Sequence, residues 1–293
     1  MSPSVGILGT GSVGMSIARK LIEAEQVPFG YRRGDNAAFS AAGGVPCGSV
    51  TELIERSKFV LLCLPARGLH ELFLAHDSVS ARARPGQVFI DLGVAPLALK
   101  LRLRERLADA QAFLLDAPMM GNPALIEAGR AVVYVSGDAT AAAAAEAVLL
   151  NFAARVPYVG DFGNGSKLKY VSNLLLAVHT VAAAEAIKYG RRAGLDMACL
   201  LGLMSPIVQS GVLAIRGKDM ANGIYGTGGG TVALLLDVIG IIEEDARLID
   251  ARVPLLHSAK RVFEDAARQG YGNMDVECMA SISAEESQHR VGT

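Results

Sequence analysis

Three small groups of residues have types and spacings that could do chemistry. The first is Gly9, Gly11 and Gly14, a G-x-G-x-x-G pattern within "VGILGTGSVGMSIARKLIEA". It follows an apolar run and opens an amphipathic one. In that setting the first glycine permits a tight turn, the second lets backbone approach a pyrophosphate, and the third lets a helix pack on a strand. The free N–H groups at the helix start favour an anion. The whole turn, Gly9, Thr10, Gly11, Ser12, Val13 and Gly14, is a candidate dinucleotide site. The second group closes the next apolar run, "GYRRGD", with Tyr31, Arg32 and Arg33. An NAD site usually has Asp or Glu there for the ribose hydroxyls, and no carboxylate occurs here before Asp35. Two guanidiniums match a 2′-phosphate, so NADP is expected, with NADPH preferred over NADH. The third group is Lys167, Lys169 and Asn173 in "GNGSKLKYVSN". On a helix Lys169 and Asn173 point together, about 40° apart, while Lys167 lies about 120° from Asn173. A lysine enclosed in a low-dielectric cleft has a lowered pKa and can give or take a proton.

The elements that must position these groups change character along the chain. Up to about residue 160, the runs "VGILG", "VPFGY", "FVLLCLP", "QVFIDLG", "AFLLDAP" and "AVVYVSG" read as strands. Most are continuously apolar, as in parallel strands buried on both faces. Helical patterns at 12–25, 49–56, 67–75, 96–109 and 138–153 alternate with them, the last with Asp138 as N-cap. This predicts α/β architecture, a doubly wound Rossmann sheet over residues 1–160. Residues 161–293 read as all-helical. They hold one long helix over 166–193 and further helices in "DMACLLGLMS", "TVALLLDVIGIIEEDARLIDAR" and "PLLHSAKRVFEDAARQG". Gly194, Gly211 and Gly270 are expected at helix ends, 222–230 as a loop, and the polar tail from Ser283 as frayed.

Composition excludes several classes. Net charge is −1 with 51% hydrophobic residues, which argues against a nucleic-acid partner and against a disordered chain. The cysteines Cys47, Cys63, Cys199 and Cys278 form no CxxC, and the five histidines form no HxH or HExxH. Free thiols and no metal site are expected. "MSPSVGILGTG" lacks the basic start of a signal peptide, and no stretch of about 18 uninterrupted apolar residues occurs. A soluble, cytoplasmic protein with no membrane partner is expected.

Taken together, the chain resembles the β-hydroxyacid dehydrogenase family, which includes 3-hydroxyisobutyrate dehydrogenases and tartronate semialdehyde reductases. The motifs that carry the resemblance are the glycine fingerprint, "YRR", "LLCLP" with Leu64 and Pro65, "DAPMMGNPALIEAG", "GNGSKLKYVSN" and "EAIKYGRRAGLD". It implies a Rossmann domain followed by a helical, 6-phosphogluconate dehydrogenase-like domain that commonly dimerises. The implied reaction is hydride transfer between nicotinamide and a hydroxyl-bearing carbon of a small hydroxy acid. By this resemblance Lys169 is the acid–base group and Asn173 holds substrate. Leu64 and Pro65 lie beside the cofactor, and Met119, Met120, Gly121 and Asn122 form the substrate loop. A homodimer or higher homo-oligomer is implied.

Three departures remove polarity from the implied cleft. The loop that usually reads Pro-Val-Ser-Gly-Gly is Pro118, Met119, Met120, Gly121, Asn122, without the serine hydroxyl. The family's Asp-x-Ser-Thr is "DLGV", Asp91 to Val94, and a late Lys-Asp pair aligns with Ile239 and Gly240. The related imine reductases have a similar apolar cleft and a loop closer to "MMGNP", but usually carry Asp or Tyr at the place of Lys169. Imine or ketone reduction is therefore the alternative. A catalytically silent NADP-binding scaffold is the alternative of another class.

Overall fold

A computed structural model describes residues 3–74, 79–204, 210–227 and 230–282. The chain divides into two compact units, Met1–Ser172 and Asn173–Thr293.

The first unit is built on a six-stranded parallel sheet in the order β3-β2-β1-β4-β5-β6. Its strands are β1 (Val5–Leu8), β2 (Phe29–Tyr31), β3 (Val45–Pro46), β4 (Phe59–Leu62), β5 (Val88–Asp91) and β6 (Phe113–Asp116). Alternation along each strand divides the core into two layers, because successive side chains leave opposite faces. Val5, Ile7, Leu61, Ile90 and Leu115 enter one cluster, with Ile17 and Leu21 of α1 (Ser12–Glu23) and Ala145 and Leu149 of α7 (Ala139–Leu150). Leu8, Val60, Leu62, Phe89 and Leu114 enter the other. There they join residues of α3 (Val50–Arg56), α4 (Ala66–Phe73) and α5 (Leu97–Asp109). Helices on both faces bury every residue of β1, β4 and β5, which is why these runs are apolar up to Asp91, the last residue of β5. Asp138 caps α7 as its position predicted, accepting from Ala141 N–H at 2.8 Å.

One strand differs from the sequence reading. "AVVYVSG" does not join the parallel sheet. Its Val132–Val133 (β8) pairs antiparallel with Met119–Met120 (β7) in a separate ribbon. The sixth place in the sheet goes to β3, whose two residues include Pro46 and leave almost no hydrophobic signal. It is an edge strand, where a proline is tolerated. One short helix was also missed, α2 (Ala37–Ala41). The helix expected just after the 118–124 loop is present as α6 (Pro123–Glu127), capped by Asn122.

The second unit is helical among its described residues. Helix α8 (Asn164–Arg192) begins in the first unit and continues into this one. It is followed by α9 (Met197–Leu203), α10 (Gly211–Asn222), α11 (Val232–Leu248) and α12 (Pro254–Ala266). Gly194 has φ +75 just past the end of α8. Gly211, expected at a helix end, instead starts α10, a helix that the pattern of the sequence does not announce. Ser210 caps it, and Gly223 (φ +68) ends it. The tail from Ser283 and part of the 222–230 loop lie outside the described residues. By length and composition α8 could cross a membrane. Its buried positions, however, include Tyr170, Asn173, Ala177, Thr180, Ala184 and Ile187, a stripe at the three- and four-residue spacing of a helix packed in protein.

Candidate active site

The glycine turn has the geometry its spacing predicts. Gly9 has φ +103 and donates its N–H to Tyr31 O at 2.9 Å; a Cβ there would lie 2.4 Å from Cys63 O. A Cβ on Gly14 would lie 2.1 Å from Gly9 O, so this glycine lets α1 press on the turn. A Cβ on Gly11 would meet nothing within 4 Å, and no side chain caps α1. Open space over uncapped helix N–H groups is what a pyrophosphate requires.

Around this turn is a cleft of about 300 Å³, lined by Gly9, Gly11, Tyr31, Arg32, Arg33, Leu64 and Pro65 among others. These come from the ends of β1, β2 and β4, at the carboxyl edge of the sheet, where such folds bind ligands. Other residues of the fingerprint support the cleft from behind. Thr10 is buried and donates its hydroxyl to Asn36 Oδ1 at 3.2 Å, and Val13 packs on the core. Ser12 is exposed in the first turn of α1.

The arginines are placed differently from each other. Arg32 donates to Thr10 O at 3.4 Å and so stays against the turn. Arg33 is 82% exposed and pairs with Glu71 Oε2 at 3.3 Å. Asp35 uses Oδ1 to accept from Ala37 N–H at the start of α2. The carboxylate that lines this cleft is Glu71 of α4, also held by Arg67 at 2.6 Å. The Arg67 hydrogen bond, helped by Arg33, holds the Glu71 carboxyl below its ordinary pKa. Sequence reasoning missed Glu71. Its spacing to Arg67 is an ordinary helical i,i+4 pair, and nothing local tells that α4 stands across from the end of β2.

The lysines separate as helix geometry predicts. Lys167 is exposed and Lys169 is half-buried. Lys169 Nζ lies 3.3 Å from Sδ of Met120 at the end of β7. Burial alone lowers its pKa to about 8. Among the described residues no carboxylate stands within ion-pair distance to raise it again. Asn173, one turn further along α8, is buried, and its amide has no hydrogen-bond partner among the described residues.

The substrate-loop candidates are not all brought together. Met119 faces the core and is 6% exposed. Met120 faces Lys169. Gly121 packs against Ala131, and Asn122 uses Oδ1 to cap α6, accepting from Leu125 N–H at 2.9 Å. A larger, open hollow of about 780 Å³ in the second unit is lined by Glu243, Arg247, Arg252, His257 and Lys260. It holds none of the fingerprint, arginine or lysine groups above, so size is no guide to the chemistry here.

A doubly wound sheet with a glycine turn at its carboxyl edge defines a dinucleotide-binding domain. Residues 4–160 match the family described as the NAD binding domain of 6-phosphogluconate dehydrogenase. Residues 163–282 match that described as NAD-binding of NADP-dependent 3-hydroxyisobutyrate dehydrogenase. The chain is 31% identical to L-threonate dehydrogenase of Cupriavidus necator over 292 residues, covering 96% of each protein. It superposes on the crystal structure of 3-hydroxyisobutyrate dehydrogenase from Salmonella typhimurium with a TM-score of 0.85 at 25% identity, covering 96% of this chain and 100% of that one. An imine reductase from Pseudomonas sp. shares the fold, with a TM-score of 0.64 at 19% identity over 96% of this chain and 99% of that one. The protein belongs to the 3-hydroxyisobutyrate dehydrogenase family and is an NAD(P)-dependent oxidoreductase.

Proposed function

We propose that this protein is an NADP(H)-dependent dehydrogenase of a small hydroxy acid or its semialdehyde, with Lys169 as the acid–base group. The observation that carries the reading is the state of Lys169: half-buried, without a carboxylate partner, its pKa brought to about 8 by burial. A proton-exchanging lysine needs a pKa near the working pH. When bound, the nicotinamide supplies or accepts the hydride. In the oxidative direction Lys169 Nζ takes the hydroxyl proton as the carbinol carbon loses its hydride. In the reductive direction it returns that proton to the oxygen. Asn173 orients the hydroxyl from the next turn of α8.

Arg32 and Arg33 at the end of β2, with no carboxylate of that strand beside them, support NADP over NAD. Residues 1–160 hold the cofactor, and 161–293 contribute substrate contacts and dimerisation. A soluble, cytoplasmic homo-oligomer fits this reading. L-Threonate, the substrate named for the Cupriavidus relative, is the first acid to try. Met120 favours a second reading, because a thioether beside Lys169 offers a substrate no hydroxyl. A less polar ketone or cyclic imine suits that surface better. The experiment is NADPH formation or consumption with panels of hydroxy acids, semialdehydes, ketones and cyclic imines. Turnover of acids with loss in Lys169→Ala supports the first reading. Turnover confined to imines supports the second. Tight NADPH binding with no turnover at all overturns both in favour of a scaffold.

A further inference from the structure

A second lysine of the first unit, Lys100 on α5, is fully buried, as are Asp91 and Asp116 at the ends of β5 and β6. A buried ammonium is costly unless its three N–H donors find acceptors. Here Nζ donates to Gly93 O at 3.0 Å and to Asp116 Oδ1 at 2.8 Å, and lies 3.0 Å from Asp91 Oδ2. The approach to Asp91 is ionic rather than a directed hydrogen bond, since Oδ2 receives none in good geometry. Lys100 thereby fixes the Asp116 carboxylate, and Asp116 does not end its contacts within the sheet.

Asp116 reaches the first turn of α8. Its Oδ2 accepts from Ser166 N–H at 2.8 Å, and its Oδ1 accepts from the Ser166 hydroxyl at 2.8 Å. Ser136 Oγ accepts from Gly165 N–H at 3.1 Å and donates to Asp116 O at 3.0 Å. Two of the N–H groups that every helix leaves open at its start are thus met by groups fixed to β6 and to the segment after β8. Carboxylate charge also suits that end of the helix dipole. Gly165 permits the approach: a Cβ there would lie 2.6 Å from Tyr134 O and 2.8 Å from Asp116 O. One turn on, the Tyr170 hydroxyl donates to Ala95 O at 2.7 Å. Lys169 lies between these two anchors, three residues after Ser166 and one before Tyr170.

We propose that Lys100, Asp116 and Ser166, with Tyr170 as the second anchor, are positioning residues that set the register of α8 and so the place of Lys169. The inference rests on Lys169 being the acid–base group. A flexible four-carbon side chain reaches its target only if its helix is held, and a misplacement of about 1 Å can cost roughly 100-fold in rate.

Lys100→Met would leave two carboxylates buried without their cation and disturb the whole unit, so Ser166 carries the test. Ser166→Ala, Ser166→Thr and Lys169→Ala are compared in the full-length protein. The readouts are the dinucleotide Kd, kcat and KM on the substrate turned over fastest, and the pH midpoint of Lys169 by NMR of ¹³C-lysine-labelled protein. The midpoint needs no substrate. Ser166→Ala is expected to keep the Kd within about 2-fold, lower kcat about 10- to 100-fold with little change in KM, and move the Lys169 midpoint by at least about half a unit. Ser166→Thr, which keeps the hydroxyl, restores kcat to within about 3-fold. A Ser166→Ala protein that only melts earlier, with kcat and midpoint unchanged, overturns the inference and leaves the acid–base reading standing. Full activity of Lys169→Ala overturns both.

Discussion

Lys169 Nζ meets the sulfur of Met120 at 3.3 Å, where α8 passes the end of the β7–β8 ribbon. Two residues 49 positions apart in sequence thus combine a lysine of lowered pKa with a soft, weakly accepting surface. The contact leaves the ammonium without a strong partner, so burial dominates its titration.

If this lysine moves the proton, Lys169→Ala keeps the fold and dinucleotide binding and lowers kcat by about 10²–10⁴. Lys167→Ala stays within a few-fold of wild type, because its side chain is exposed. Asn173→Ala raises KM and lowers kcat together, as loss of a substrate-orienting group does. Steady-state kinetics of the three variants decide the matter. A dead Lys167→Ala beside an active Lys169→Ala would sink the assignment.

The pH dependence follows from the direction of the shift. Lys169 is lowered from the ordinary lysine value to about 8, so the neutral amine becomes populated as pH rises through 8. Oxidation needs that amine as a base and should speed up across this range. Reduction needs the ammonium as an acid and should slow down across it. Profiles of kcat/KM in both directions check the opposite signs. Parallel profiles would show that another group limits both.

In the cofactor cleft, Arg33→Ala should weaken NADPH binding by about 1–3 kcal/mol and leave NADH nearly unchanged. Glu71→Gln makes the complementary change. Glu71 pairs with Arg33 and lines the same cleft, so its charge competes with a 2′-phosphate for the guanidinium. Its removal should tighten NADPH a few-fold with little effect on NADH. Fluorescence titrations read both. Equal effects on the two cofactors would remove the 2′-phosphate from the explanation.

Met120→Ser places a hydroxyl beside the ammonium in place of a thioether. The ratio of turnover on small carboxylate substrates to turnover on apolar ketones or imines should rise. An unchanged ratio in the panel assay means that Met120 does not face the substrate.

Much of this protein follows from local pattern. The fingerprint glycines could be assigned roles one by one because each role is a backbone matter within a single turn: a positive φ at Gly9, and a missing Cβ at Gly14. The strand runs were legible because burial on two faces favours continuous apolar residues, which β1 and β4 keep throughout and β5 keeps up to Asp91. Lys169 could be separated from Lys167 because helical spacing alone sends them to different faces.

What local pattern cannot carry is the pairing of side chains that the topology brings together. The third strand was invisible, since two edge residues with a proline have no period, while "AVVYVSG" has the composition of a core strand yet pairs elsewhere. Glu71 against Arg33, Met120 against Lys169, and Lys100 between Asp91 and Asp116 are separated by 38, 49 and as few as 9 residues. Each depends on which strand ends become neighbours. Sequence by itself determined the dinucleotide turn and the helix face of the lysine, because both are fixed within a few consecutive residues. Only the tertiary structure decided what surrounds them, because a side chain's solvation and charge partners are set by the parts of the chain that fold against it.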